Sequence, residues 1–272
     1  FDASTAVRDE AKAMRPISDF PAALCRKIRL VLTDVDDTLT FAGRLGAGAY
    51  DALERLERAG ILVIPVTAAP AGWCDLMARM WPVRAVIGEN GGLCFSRAGE
   101  GRELRRAFWQ SEDERARSMT RLAGIAAQIR AAVPEAITAA DQPFRQTTWA
   151  LQAAGESDLA TRMAAAWRDA GATATINTLW VMGWLGGFDK LKMALRMAGE
   201  LLALDLAAEK EAVLYVGDSL NDEPMFRFFP NSVGVSTVTD YRDRLNALPP
   251  WVTRGPGGAG FVEVADMLLA GR

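Results

Sequence analysis

The chain has 272 residues, 50% hydrophobic and 24% charged, with a formal net charge of −3. That composition suits one large globular domain or two modest ones, and its slight acidity argues against a nucleic-acid partner, which normally leaves a basic excess. There is no histidine, which excludes serine–histidine hydrolysis and histidine-ligated metals; acid–base chemistry falls to carboxylates, Lys, Cys, Tyr or water.

Residues 1–13 lack the apolar core of a secretory signal, and Met14 is a sensible start. They are read as an extension, a tag or a processed piece. From residue 28 onward, strand-like and helix-like segments alternate. Residues 28–34 read as a buried strand, and 47–59 carry apolar residues at helical spacing up to Gly60. A second continuous apolar run, 61–67, precedes a helix over 71–80, and 85–92 is a short strand running into a glycine turn. Continuous rather than alternating apolar strands separated by helices predict a parallel sheet covered on both faces.

The texture then changes. Residues 111–132 predict a long polar-faced helix, 144–152 a strand with an exposed face, 156–170 another helix, and 172–185 one or two strands. The α/β pattern returns with a helix over 189–204, a buried strand over 212–218, a short helix over 220–229, a strand over 232–236 and a closing helix over 260–271. The glycine-rich stretch 255–261, which opens that last helix, reads first as a flexible loop and second as a set of backbone N–H groups for an anion. The fold class is therefore α/β: a Rossmann-like parallel-sheet core over 14–93 and 187–272, with an inserted α+β cap domain over 94–186. No apolar run reaches bilayer-crossing length. Cys25, Cys74 and Cys94 form no paired motif, which suggests reduced thiols in a cytoplasmic protein.

In an open parallel sheet, ligands sit beyond the carboxyl ends of the strands. Four such ends carry unusual residues: TDVDDT (33–38), VTAAP (66–70), GENGG (88–92) and VGDSLND (216–222). In extended backbone Asp34 and Asp36 share a face, while Asp37 begins the turn. Asp222 lies one helical turn beyond Asp218. Each anion disfavours ionisation of its neighbours, so converging carboxylates call for a cation. All-oxygen ligation suits Mg²⁺, which takes one or two carboxylates together with substrate phosphate. Taken alone, Asp-Asp-Thr after a strand also suits a plain turn that caps the next helix. Two such acidic turns at opposite ends of one α/β core favour the metal.

DVDDTLT (34–40), VT (66–67), Lys190 in GGFDKLKMAL, and GDSLNDEPMF (217–226) resemble the four motifs of the haloacid dehalogenase superfamily. The insertion after the second motif, with ENGG (89–92) before it, resembles the cap of its subfamily IIB, which includes many sugar-phosphate phosphatases. The resemblance implies a Mg²⁺-dependent phosphatase acting on a small phosphorylated metabolite, such as a sugar phosphate. It implies Asp34 as the nucleophile that becomes an aspartyl-phosphate, and Asp36 as the acid and then the base. Mg²⁺ would be held by the Asp34 side chain, the Asp36 carbonyl and Asp218, with Asp222 direct or through water. Thr67 would hydrogen-bond the phosphoryl group, and Lys190 would neutralise it and orient Asp34. Asn90, Gly91, Arg145 and Asn221 complete the implied substrate contacts. Lys192 is a rival to Lys190, but its preferred reading is a solvated helix charge.

The match thins in two places. Relatives often continue the second motif with Gly-Arg, where this chain has Ala68 and Ala69. Relatives also carry acidic or polar residues in the cap where this chain has Thr148, Trp149 and Gln152, then Trp180, Met182 and Trp184. These large apolar residues read first as packing of the cap sheet, and second as an apolar substrate pocket. Arg145 reads either as a contact to a substrate anion or as an exposed strand charge. A phosphomutase on the same scaffold, and a non-catalytic phospho-ligand-binding protein, are the competing functions.

Overall fold

The apolar runs form the expected parallel sheet in the computed structural model, which describes residues 14–98, 103–152, 157–177 and 180–272. The expected extension over 1–13 lies outside the described residues. In chain order the first strands are β1 (Arg15–Pro16), β2 (Leu30–Thr33), β3 (Thr40–Phe41), β4 (Arg44–Leu45), β5 (Leu62–Pro65), β6 (Ala85–Gly88), β7 (Leu93–Arg97) and β8 (Leu104–Phe108). They continue with β9 (Ile137–Thr138), β10 (Thr148–Gln152), β11 (Thr173–Ile176), β12 (Trp180–Trp184), β13 (Val213–Gly217), β14 (Ser232–Gly234) and β15 (Trp251–Val252). The helices are α1 (Ala22–Cys25), α2 (Ala47–Arg58), α3 (Ala71–Met80), α4 (Glu112–Ala132), α5 (Asp158–Asp169), α6 (Lys190–Leu202), α7 (Glu223–Phe228) and α8 (Gly257–Ala270).

Contacts divide the chain into two compact units, one of residues 14–66, 80–85 and 195–272, the other of 67–79 and 86–194. In the first, six strands pair in the order β1-β15-β14-β13-β2-β5, and every pairing is parallel. Val31 of β2 stands between Leu214 and Val63, and Thr33 between Val216 and Pro65. Every residue of β2 and β13 is buried, which is why these strands read as continuous apolar runs. Helices α2 and α8 turn Leu53 and Leu56, and Phe261, Val264 and Leu268, inward. This register puts the carboxyl ends of β2 and β13 side by side, and the Asp34 N–H donates to the Val216 carbonyl at 2.9 Å.

The second unit holds an antiparallel sheet in the order β11-β12-β10-β9 and a smaller sheet, β6-β7-β8. Helices α4 and α5 cover the larger sheet, packing Leu122, Ile125, Ile129, Met163 and Trp167 on Leu151 and Val181. The segment 172–185 is thus two strands, β11 and β12, paired antiparallel. Two expectations need correction. The strand expected over 144–152 starts at Thr148, because Gln142–Phe144 form a 3₁₀ turn; Thr148, Ala150 and Leu151 are buried, so neither face is open. The expected loop at 255–261 is instead the first turn of α8, which begins at Gly257 after Pro256. The β7–β8 hairpin, paired from Leu93↔Phe108 to Arg97↔Leu104, was not expected at all. No helix among the described residues is long and apolar enough to cross a membrane.

Candidate active site

The acidic turns expected to hold a metal meet at the adjacent ends of β2 and β13. Asp34, Asp218 and Asp222 are buried, and each offers a carboxylate oxygen within 4.8 Å of the others. The loop after β2 is tightly wound: the N–H groups of Thr38, Leu39 and Thr40 all donate to the Val35 carbonyl. Asp37 takes a left-handed conformation (φ 57°) there, one that Asp tolerates better than most residues. Thr38 Oγ1 donates to Asp218 Oδ1 at 2.9 Å, which ties the first acidic turn to the second. Asp36 is partly buried, and its carboxylate is not one of the three that converge.

Asp222 is held by three hydrogen bonds. Its Oδ2 accepts the N–H groups of Asp218 (3.0 Å) and Ser219 (3.2 Å), and its Oδ1 accepts the Tyr215 hydroxyl at 2.5 Å. Burial, reinforced by the surrounding carboxylates of Asp222 and Asp34, pushes the Tyr215 phenol well above its usual range, so it stays a donor. Gly217 is required here. A Cβ on it would stand 2.6 Å from Asp222 Oδ2. Asn221 sits in the same turn and accepts from Ser219 Oγ at 2.9 Å. Three buried acidic residues with all-oxygen donors fit a hard divalent cation, which would offset their mutual repulsion.

Thr67, Asn90, Gly91 and Lys190 are brought together within the other unit. Residues 89–91 form a turn of three consecutive left-handed residues, at φ 49°, 57° and 100°. The Asn90 N–H donates to the Thr67 carbonyl at 3.1 Å, while Thr67 Oγ1 accepts from the Ala69 N–H at 3.0 Å. Gly91 lies flat against the start of α6, where a Cβ would be 2.2 Å from the Asp189 carbonyl and 3.2 Å from the Lys190 nitrogen. Lys190 is buried. Lys192 is exposed and pairs with Asp189 at 3.2 Å, the solvated charge that was expected.

Arg145 is not an exposed strand charge. Its side chain is 0% exposed and is anchored on Asp141 at 2.8 Å. It also donates to the Ala68 carbonyl (3.0 Å) and to Thr148 Oγ1 (3.2 Å), and lies 5.4 Å from the Trp180 ring. Ala68 packs with Ala139, Ala150 and Met182, and Trp180 flanks them. Met182 and Trp184 are buried in the sheet, as the packing reading expected.

No family model and no curated protein matches the sequence. Solved structures do match. A protein of Thermoplasma acidophilum superposes with a TM-score of 0.68 at 18% identity, over 89% of this chain and 98% of its own. A haloacid dehalogenase-like hydrolase from Bacteroides thetaiotaomicron gives 0.62 at 14%, over 88% and 98%. The chain has the haloacid dehalogenase fold. A sucrose-phosphatase from Synechocystis, solved in complex with sucrose and phosphate, gives 0.58 at 13%, over 88% and 97%.

Within that haloacid dehalogenase fold, three participants escaped the sequence reading. Thr38 was overlooked inside DVDDT, although a threonine beside clustered carboxylates is a ready donor. Tyr215 was absorbed into an apolar strand, where its hydroxyl was the one polar handle. Glu89, buried at 0% exposure, was read only as part of a glycine turn.

Proposed function

We propose that the chain is a phosphomonoester hydrolase working through an aspartyl-phosphate on Asp34, with Mg²⁺ as its metal and a small phosphorylated metabolite, in the first instance a sugar phosphate, as its substrate. The observation that carries this reading is the convergence of Asp34, Asp218 and Asp222, all buried, at the carboxyl edge of a parallel sheet. The haloacid dehalogenase fold and its likeness to a structure described as a sucrose-phosphatase support it.

In this reading an Asp34 carboxylate oxygen attacks phosphorus as the ester P–O bond breaks, and Asp36 gives its proton to the departing alkoxide. Asp36 then takes a proton from water, whose oxygen attacks the same phosphorus and releases phosphate from Asp34. The Asp34 side chain, the Asp36 carbonyl and Asp218 would hold the metal, with Asp222 direct or through water, and the metal when bound would offset repulsion between anionic nucleophile and anionic ester. Thr67, Asn90, the Gly91 backbone and Asn221 bind the ester, with Lys190 as counter-charge. Residues 94–186 act as the cap that excludes water and selects the leaving group. Arg145, with its guanidinium spent on Asp141, Ala68 and Thr148, serves by holding the cap strand against residue 68.

The test is release of inorganic phosphate from a panel of sugar phosphates, with and without EDTA. EDTA abolishes turnover, and Asp34→Asn lowers it by about a thousandfold or more, since the nucleophile is gone. Release that persists in EDTA or in Asp34→Asn overturns the mechanism. An isomerised ester in place of free phosphate makes the enzyme a mutase.

A further inference from the structure

Glu89 has no role in the chemistry above, yet its carboxylate accepts six hydrogen bonds. Its Oε1 accepts the N–H groups of Ala71 (3.0 Å) and Gln146 (2.8 Å). Its Oε2 accepts the Thr147 N–H and hydroxyl (2.7 and 2.8 Å) and the Thr148 N–H and hydroxyl (2.8 and 3.0 Å). One buried side chain therefore ties the first turn of α3 to the start of β10. Its backbone is equally committed, since the Glu89 N–H donates to the Ala69 carbonyl. Left-handed backbone at two successive non-glycine residues persists only where the surroundings over-determine it. The six bonds to Glu89 supply that constraint.

The turn so held contains Asn90. Among the described residues, Asn90 Nδ2 is buried with no acceptor, and the residue is 4% exposed. A buried donor left unpaired in the resting protein is a cost that a ligand oxygen removes.

We propose that Glu89 is a positioning residue: its carboxylate clamps the 89–91 turn so that the Asn90 amide meets an oxygen of the bound phosphoester. The proposal rests on the phosphatase reading for the ligand, and on hydrogen bonds independent of that reading for the clamp. Glu89→Gln keeps the volume but puts an amide nitrogen, which cannot accept, where one of the two acceptor oxygens stood. Asn90→Gly removes the amide and keeps a residue at ease at positive φ.

The experiment is a double-mutant cycle read in kcat/KM for phosphate release, with amide hydrogen exchange on the same proteins. Asn90→Gly lowers kcat/KM by about 10- to 100-fold, the scale of one hydrogen bond to a charged group. Glu89→Gln lowers it comparably, and the double variant is no more than about twofold worse than the poorer single, because the two act as one unit. Losses that multiply overturn the proposal. In Glu89→Gln the amides that lose their acceptor, Ala71 and Gln146 where the nitrogen replaces Oε1 or Thr147 and Thr148 where it replaces Oε2, exchange about tenfold faster while those of β13 do not; unchanged protection in both pairs overturns the clamp. Wild-type protein that releases no phosphate removes the phosphatase reading, and the exchange result then decides the clamp alone. Should Glu89→Gln not fold, Thr147→Val removes a single hydroxyl donor at constant shape. It must then show a smaller loss in kcat/KM, likewise absent in the Asn90→Gly background.

Discussion

Asp222 shows how a buried carboxylate can shape an acidic cluster while its own oxygens are already engaged. The Asp218 and Ser219 N–H groups and the Tyr215 hydroxyl all reach it, so its charge is spent shaping the loop that carries Asp218. Tyr215→Phe deletes only the hydroxyl, leaving the ring against Phe226 at 5.6 Å and Phe229 at 6.5 Å. The expected loss is about 1.5–3 kcal/mol, the range for a hydrogen bond to a charged group, measured as a lower urea midpoint with unchanged slope. Gly217→Ala attacks the same carboxylate sterically. Its Cβ would be 2.6 Å from Asp222 Oδ2, which two backbone N–H groups pin in place, and 2.9 Å from Asp222 Cβ. Overpacking of that kind costs about 1–3 kcal/mol. Because it displaces the loop, Mg²⁺ affinity measured by calorimetry falls with it; unaltered affinity would show that Asp222 does not set the position of Asp218.

At the scale of elements, legibility in the sequence followed locality. Helix α4 was legible as a polar-faced run over 111–132, and a local signal the reading did not use, the capping box of Ser111 and Glu114, lies within four residues of chain. The acidic turns were equally plain, since two or three carboxylates crowd one short segment at each strand end. What stayed hidden depends on partners far along the chain. Glu89 looked like a turn residue because Thr147 lies 58 positions away, and the bond from Arg145 to the Ala68 carbonyl spans 77, although its ion-pair partner Asp141 is only four residues off and was legible locally. The β7–β8 hairpin was missed because Arg105 and Arg106 make the second strand look polar, although Leu93, Cys94, Phe95 and Ser96 of its partner strand are all buried. Two glycines now separate by environment where sequence treats them alike. In β12, a Cβ on Gly183 would sit 2.4 Å from the Trp167 ring, whereas Gly124 in α4 has nothing within 4 Å. Gly183→Ala should therefore cost about 1–3 kcal/mol and Gly124→Ala should add about 0.5–1 kcal/mol. Thermal melts of the pair check both signs at once.

For the molecule as a whole, the acidic cluster sets function against stability. Asp34, Asp218 and Asp222 are buried together with ligand oxygens within 4.8 Å, an arrangement that mutual repulsion disfavours in the absence of a cation. A cation that binds the folded chain and not the unfolded one adds about 2.7 kcal/mol at one hundred times its dissociation constant. Stability and metal should therefore cross over in Asp218→Asn. Asparagine keeps an acceptor for the Thr38 hydroxyl, now 2.9 Å away, and removes one buried charge. In EDTA the variant should melt at or above the wild-type temperature, because the repulsion is relieved. In saturating Mg²⁺ the order should reverse, because the wild type gains the binding term and the variant loses most of it. The readout is a melting temperature, so it needs no substrate. A wild type indifferent to Mg²⁺, or a variant that melts lower even in EDTA, would mean that these carboxylates need no divalent cation to sit together.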